Sequence, residues 1–539
     1  MKPLSQTNCK GFVMKKLVIL LNSKHVSKEE FGTLESLLAL PDTFVMEHYN
    51  AALLQSLFAQ GEVDGVVCIG GTGNYKDILL ANKICPIYFL DHTGCDDFVT
   101  SLVDRDRLIF STHHIREIVD IHQNFVRAGL LINSGCRYVE AGFVFSKDGK
   151  LCRAIEKNAP IPMQVVEEAS NLGYVPKLNK FGESDRYVLY NIEEIPFVTR
   201  GTEWSVGQSV AILNSLLDFE LYLLEHSCSL LDPHSNNFTF RNSKFIYFDY
   251  GSISNNIHKY GFLAHVMNLV IKPCFYGKPI VDIESLEREF EKWYTKHNTE
   301  NHDVNELKMA IAELRLLVNS IVLNEPKCCW NTYCPEMCFT LEQFEANKFQ
   351  RKNKYDYVLD KYKTYKPKRV VDLGGNIGYY SFMASTLGAQ ALVLENRHSV
   401  LDEGFSLAKK HNMNVDFALI DLFNVVESAV SEYVTSDSIY TRFQGDFCLA
   451  SAITHHLSHG GEKSLSFERQ VEMFNKLTTK YLLVEFIPST DIHVKTWGMP
   501  ESYTMDNYMK ELNKYFSILE IADSEPLPRK WIFCEKKSK

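Results

Sequence analysis

The chain alternates short apolar runs with longer polar, helix-like segments. Between residues 15 and 115 the runs Lys16–Leu21, Val45–Tyr49, Asp64–Ile69, Pro86–Leu90 and Leu108–Ser111 predict strands separated by polar helices. That pattern belongs to a small parallel α/β domain. From about residue 135 the strands Tyr138–Ser146, Leu151–Lys157 and Tyr187–Ile192 and the helices Met163–Ser170 and Ser209–Glu225 predict an α+β unit. Val281–Lys296 and Val304–Leu323 then read as connector helices. After residue 346 strand and helix alternate again, with apolar strands Ala391–Leu394, Val415–Ile420 and Asp446–Ala450. The expected division is 1–125, a small α/β domain; 126–260, an α+β unit; 261–345, a helical connector; and 346–539, a Rossmann-like domain.

The most specific stretch is Val370-Val371-Asp372-Leu373-Gly374-Gly375-Asn376-Ile377-Gly378. A buried strand runs into a glycine-rich turn that opens a helix. Glu395 follows 23 residues after Asp372, at the end of the next apolar strand. Such a layout forms a nucleotide-type pocket at the carboxyl edge of a parallel sheet. An acid ahead of the glycines suits a cationic ligand and repels a pyrophosphate. The wording resembles motif I of class I S-adenosylmethionine (SAM) methyltransferases.

A second constellation lies upstream. Asp232 precedes Asn237 by five residues, and Asp249, followed by Tyr250-Gly251, comes twelve after Asn237. This resembles the D-x-x-x-x-N…D-F-G arrangement of kinase-like folds, which implies an Asp that orients a hydroxyl and an Asn and Asp (Asn237 and Asp249) that hold Mg on ATP. Lys157 or Arg153 would reach a phosphate, with Glu167 or Glu168 as its partner. The departures are plain: a glycine-rich loop, a His-Arg before Asp232 and a later Ala-Pro-Glu are all missing.

Taken in order, the Asp232/Asn237/Asp249 group, Trp330-x-x-Tyr333, the SAM motif, Leu449–Leu457 and Val484–Asp491 resemble a group of bacterial SAM-dependent methyltransferases related to a rhizobial nodulation protein, over roughly residues 150 to 539. The resemblance implies that Asp372, Gly374, Gly375, Asn376 and Gly378 shape the SAM site, that Glu395 holds the ribose and that Asp421 sits beside the adenine. It implies methyl transfer to a small-molecule or carbohydrate-like acceptor, at oxygen, in surface-glycan or specialised metabolism. Methylating a hydroxyl requires a proton acceptor. His455 and His456, just past the strand Asp446–Ala450, and Glu485, at a later strand end, are the catalytic candidates. Two alternatives stay open: a bifunctional kinase and methyltransferase using ATP and Mg, and a non-catalytic SAM-binding scaffold.

Composition narrows the setting. With 45% apolar and 23% charged residues the 539-residue chain is ordinary globular protein, too long for one domain. A net charge of −10 argues against a nucleic-acid partner. There is no apolar run of membrane-spanning length. Lys15 and Lys16 interrupt the only leader-like stretch, and Met14-Lys15-Lys16 looks like a natural start. With fourteen mostly scattered cysteines, a reduced cytoplasmic setting is expected. The cluster Cys328, Cys329, Cys334 and Cys338 has irregular spacing for zinc, and buried free thiols are the simpler expectation. Gly70-Gly71-Thr72-Gly73 is a weak anion-binding turn, and His113-His114 sit at another strand end.

Overall fold

In a computed structural model, the described residues are 16–21, 43–46, 55–57, 59, 63–69, 87–90, 109–112, 142–147, 150–183, 187–257, 259–299, 303–327, 329–332, 337–346, 352–425, 430–431, 434–435, 438–459 and 461–537. The Gly70–Gly73 turn, His113, His114, Cys328, Tyr333 and Cys334 lie outside them. The chain divides into two compact units, Met1–Ile161 with Lys177–Glu194, and Pro162–Pro176 with Ile195–Lys539.

The first unit contains two sheets. Strands Lys16–Leu21, Thr43–Met46, Val63–Ile69, Ile87–Leu90 and Ile109–Thr112 pair in parallel, in spatial order second-first-third-fourth-fifth. Leu17 to Leu20 and Val66 to Cys68 are almost wholly buried, as the continuous apolar runs require. The other sheet is antiparallel, with Gly142–Lys147, Lys150–Glu156, Tyr187–Ile192 and Leu178–Glu183 side by side in that order.

The second unit is built around a seven-stranded sheet. Its strands are β1 (Arg369–Leu373), β2 (Gln390–Glu395), β3 (Val415–Leu419), β4 (Gly445–Ala450), β5 (Thr478–Phe486), β6 (Phe516–Asp523) and β7 (Lys530–Lys536). The order is β3-β2-β1-β4-β5-β7-β6; all pairs are parallel except those of β7 with β5 and β6. Val370, Val371, Leu392, Val393, Phe447, Cys448, Leu482 and Leu483 are fully buried, so this central sheet is covered on both faces. Ser466 and Thr504 start the flanking helices Phe467–Leu477 and Met505–Tyr515 by accepting from the backbone amides of Arg469 and Asn507.

From β1 the chain moves outward to β2 and β3, then returns to place β4 on the other side of β1. The topological switch point therefore lies between β1 and β4. The carboxyl ends of the strands at such a point are the place where sheets of this kind bind ligands. The C-terminal half is thus a Rossmann-like, doubly wound α/β fold. The helices Ile283–His297 and Val304–Asn319 of the expected connector belong to this same unit. No helix among the described residues is long and apolar enough to cross a membrane.

Candidate functional site

The glycine turn leaves β1 at the switch point. Gly374 has φ +66°, and a Cβ there would stand 2.8 Å from Ile453 Cδ1; at Gly375 it would stand 2.6 Å from Asp372 Cγ. A side chain at either position would collide with these neighbours unless they moved, so the turn is bare backbone there. The amide of Gly374 donates to the Leu394 carbonyl at 2.8 Å, tying the turn to the end of β2. Gly378 caps the helix Tyr379–Thr386.

Asp372 lies beneath the turn and accepts from the Ser381 hydroxyl at 3.0 Å. Burial pushes its carboxyl up to about 7, and the nearby Glu395 charge acts in the same direction. Glu395 ends β2. Burial raises its carboxyl also, offset in part by backbone amides, including that of Asn396 at 2.8 Å. Asp421 lies just past β3, where it accepts from the Phe423 amide at 3.1 Å and the Asn424 side chain at 2.6 Å. The expected cofactor residues thus gather at the carboxyl ends of β1, β2 and β3.

Asn376 does something the sequence did not announce. Its side-chain amide donates to the Trp330 carbonyl at 2.9 Å, while its oxygen accepts from Ile377. The Trp330 ring meets His456 edge-on, with centroids 5.5 Å apart. Asn331 donates to the Ser399 carbonyl at 3.1 Å. The segment Cys329–Thr332 therefore bridges the glycine turn and the histidine pair. Cys329 is exposed and Cys338 buried, and no cluster of three or more metal-ligating side chains occurs among the described residues.

On the other side of the switch point, β4 leads into the short helix Thr454–Ser458. His455 is buried, and its Nδ1 has no hydrogen-bond partner among the described residues. Burial, then the neighbouring His456 and Arg529, push its imidazole down to about 3. His456 is partly exposed, and burial with His459 lowers it too. Trp497 packs 5.2 Å from both rings. Glu485, at the end of β5, is fully buried and accepts from Lys354 at 2.7 Å, Ser451 at 3.0 Å and Ser524 at 2.7 Å.

Asp232, Asn237 and Asp249 lie around the base of a hairpin. Strands Phe238–Arg241 and Lys244–Tyr247 form a hairpin, and the Phe248 amide donates to the Asn237 carbonyl at 2.9 Å. Asn237 and Asp249 are therefore neighbours at the hairpin base. The Asn237 side chain donates to the Asp232 carbonyl at 2.9 Å, and Asp232 Oδ1 stands 3.7 Å from His265 Nδ1. Lys157 belongs to the first unit, with Nζ 3.9 Å from Glu183; Glu168, in the second, accepts from Gln164 at 3.2 Å.

No protein-family model matches the chain. The sequence is similar to nodulation protein NoeA of Rhizobium meliloti (strain 1021), 26% identical over 167 residues, which is 31% of this chain and 33% of that protein. The chain thus spans about a third of the length of that curated relative, and the likeness is shorter than the expected 150 to 539. Solved structures similar to part of the chain include TehB from Haemophilus influenzae, 21% identical, covering 34% of this chain and 62% of TehB with a TM-score of 0.26. They also include the bifunctional kinase-methyltransferase WbdD, 15% identical, covering 39% of this chain and 45% of WbdD with a TM-score of 0.28.

Proposed function

We propose that the chain is a SAM-dependent methyltransferase acting at an oxygen of a small or carbohydrate-like acceptor. The observation that carries this reading is the side-chain-free turn at Gly374 and Gly375, flanked by Asp372 below and by Glu395 and Asp421 at the next two strand ends. In this reading Gly374, Gly375, Asn376 and Gly378 line the methionine end, Glu395 accepts from the ribose hydroxyls and Asp421 accepts from the adenine amino group. Bound SAM supplies an electrophilic methyl group on a sulfonium. The protein has to align the acceptor and remove its proton.

His456 is the base in this reading. It is partly exposed at the catalytic edge, between the rings of Trp330 and Trp497. His455, pushed down to about 3, stays neutral and positions its neighbour. Glu485, enclosed by three donors, orders the edge rather than taking the proton. The two indole rings suit the apolar face of a sugar. The kinase-like group is assigned nucleotide or acceptor binding beside the transferase. His456→Ala is expected to retain SAM affinity while transfer of label from methyl-labelled SAM to a glycan acceptor pool falls about a hundredfold or more. Full transfer by that variant would remove His456 as the base.

The Asp372 carboxyl gives the reading a pH signature. With its folded value raised to about 7, the neutral acid is favoured in the folded protein. Its contribution to stability is therefore greatest at low pH and fades as pH rises from about 4 through about 7. The cationic ligand favours the carboxylate, so SAM affinity is expected to weaken as pH falls from 8 to 6. Calorimetric titrations across that range check this. An Asp372→Asn variant should give weaker binding with little pH dependence; the same slope in variant and wild type would assign the dependence elsewhere.

A further inference from the structure

A second cavity, of about 590 Å³, lies at the opposite edge of the sheet from the glycine turn. It is bounded by the turn end of the hairpin, with Arg241 and Lys244, by Tyr174, and by the segment Lys409–Asn414 that leads from the helix His398–His411 into β3. We propose that this cavity binds a small phosphate-bearing anion.

Three cationic side chains line it: Arg241, Lys244 and Lys409. Arg241 and Lys244 are directly opposed in the antiparallel register, which sets two positive charges side by side. Lys244 donates to the Asn412 amide oxygen at 3.0 Å, a neutral partner. One carboxylate, Asp218, also lines the cavity, and the buried Asp416 acts on Arg241. Asp218 is bound by Arg315, and Asp416 accepts from the Ser243 amide at 2.8 Å.

Neutral hydrogen-bonding groups complete the lining. Asn242 and Asn414 flank the cations, and the side-chain oxygen of Asn242 is buried without a hydrogen-bond partner among the described residues. A ligand that carries a donor beside its phosphate would satisfy that oxygen. An arginine beside two lysines in a partly enclosed space gives the charge-assisted, planar and point contacts that phosphate oxygens take. The volume suits something larger than inorganic phosphate, in the size range of a nucleotide or a sugar phosphate. That a chain of net charge −10 sets three cations against one carboxylate in the lining of this cavity adds to the case.

The test is calorimetric titration of the full chain with tripolyphosphate and with ATP, in EDTA and both with and without SAM. EDTA withholds the Mg on which nucleotide binding at Asn237 and Asp249 would depend, so one saturable site is expected, insensitive to SAM and weakening with added salt. The variant Lys244→Ala/Lys409→Ala, at two exposed positions, should fold normally and bind about tenfold or more weakly. Asp249→Asn should bind as wild type does. Absence of saturable binding overturns the proposal, as does binding that persists in the double-lysine variant or is lost in Asp249→Asn.

Discussion

Lys354→Met is expected to destabilise the second unit by about 3–5 kcal/mol. The ammonium and the Glu485 carboxylate are 2.7 Å apart, with side chains 5% and 0% exposed. Burial alone pushes the Glu485 carboxyl up, but Lys354 and the Ser524 hydroxyl more than offset it and hold the carboxyl below its usual range. Removing the ammonium leaves a buried carboxylate facing two hydroxyls, with only the charge of Arg529, itself paired with Asp491, to offset its burial. Glu485 sits at the end of β5, and its backbone carbonyl accepts from Thr454 at 3.4 Å, next to His455. The loss would therefore loosen the histidine pair as well. Because the folded value is lowered, this contribution is present above the unfolded carboxyl range near 4.5 and fades as pH falls through the folded value. Urea denaturation of wild type, Lys354→Met, Glu485→Gln and the double variant measures the coupling. A double variant much less destabilised than the sum of the singles is expected, whereas simple additivity would mean that the pair is not coupled.

Glu395→Ala is expected to weaken SAM binding on the order of a hundredfold. A carboxylate accepting from two ribose hydroxyls makes two charge-assisted hydrogen bonds, worth about 1.5–3 kcal/mol each. Losing both corresponds to roughly two powers of ten in affinity or more. The side chain is already aimed by the Asn396 amide at 2.8 Å, so little ordering cost is left for the ligand to meet. Glu395→Gln, which keeps the shape and one acceptor, should recover part of the loss. An Ala variant with wild-type affinity and an unchanged melting profile would move the ribose away from β2.

Much of this was legible in the sequence for one physical reason. Parallel strands buried on both faces are continuous apolar runs, and Val370–Leu373 and Ala391–Leu394 announce themselves and the turns that follow. The five N-terminal strands were readable on the same grounds. Leu178–Glu183 was not: its Asn179, Lys180 and Glu183 are exposed, so no apolar rhythm marks it. Edge strand β6 is hidden likewise, with Glu520 and Ile521 facing outward. The contacts that join the two sides of the switch point were also out of reach. Asn376 to Trp330, Trp330 to His456 and Lys354 to Glu485 link residues far apart in the chain, and no local spacing encodes them. Trp330 enters the sequence reading only through the Trp330-x-x-Tyr333 pattern, and only its neighbours reveal it as a bridge between the glycine turn and the histidines.

The most direct test of the central claim is calorimetric titration of the full-length protein with SAM, wild type beside Asp372→Ala. One-to-one binding that is lost or strongly weakened in the variant is the predicted result. No binding to the wild type, or equal affinity in both proteins, would contradict a SAM pocket at the β1–β4 switch point.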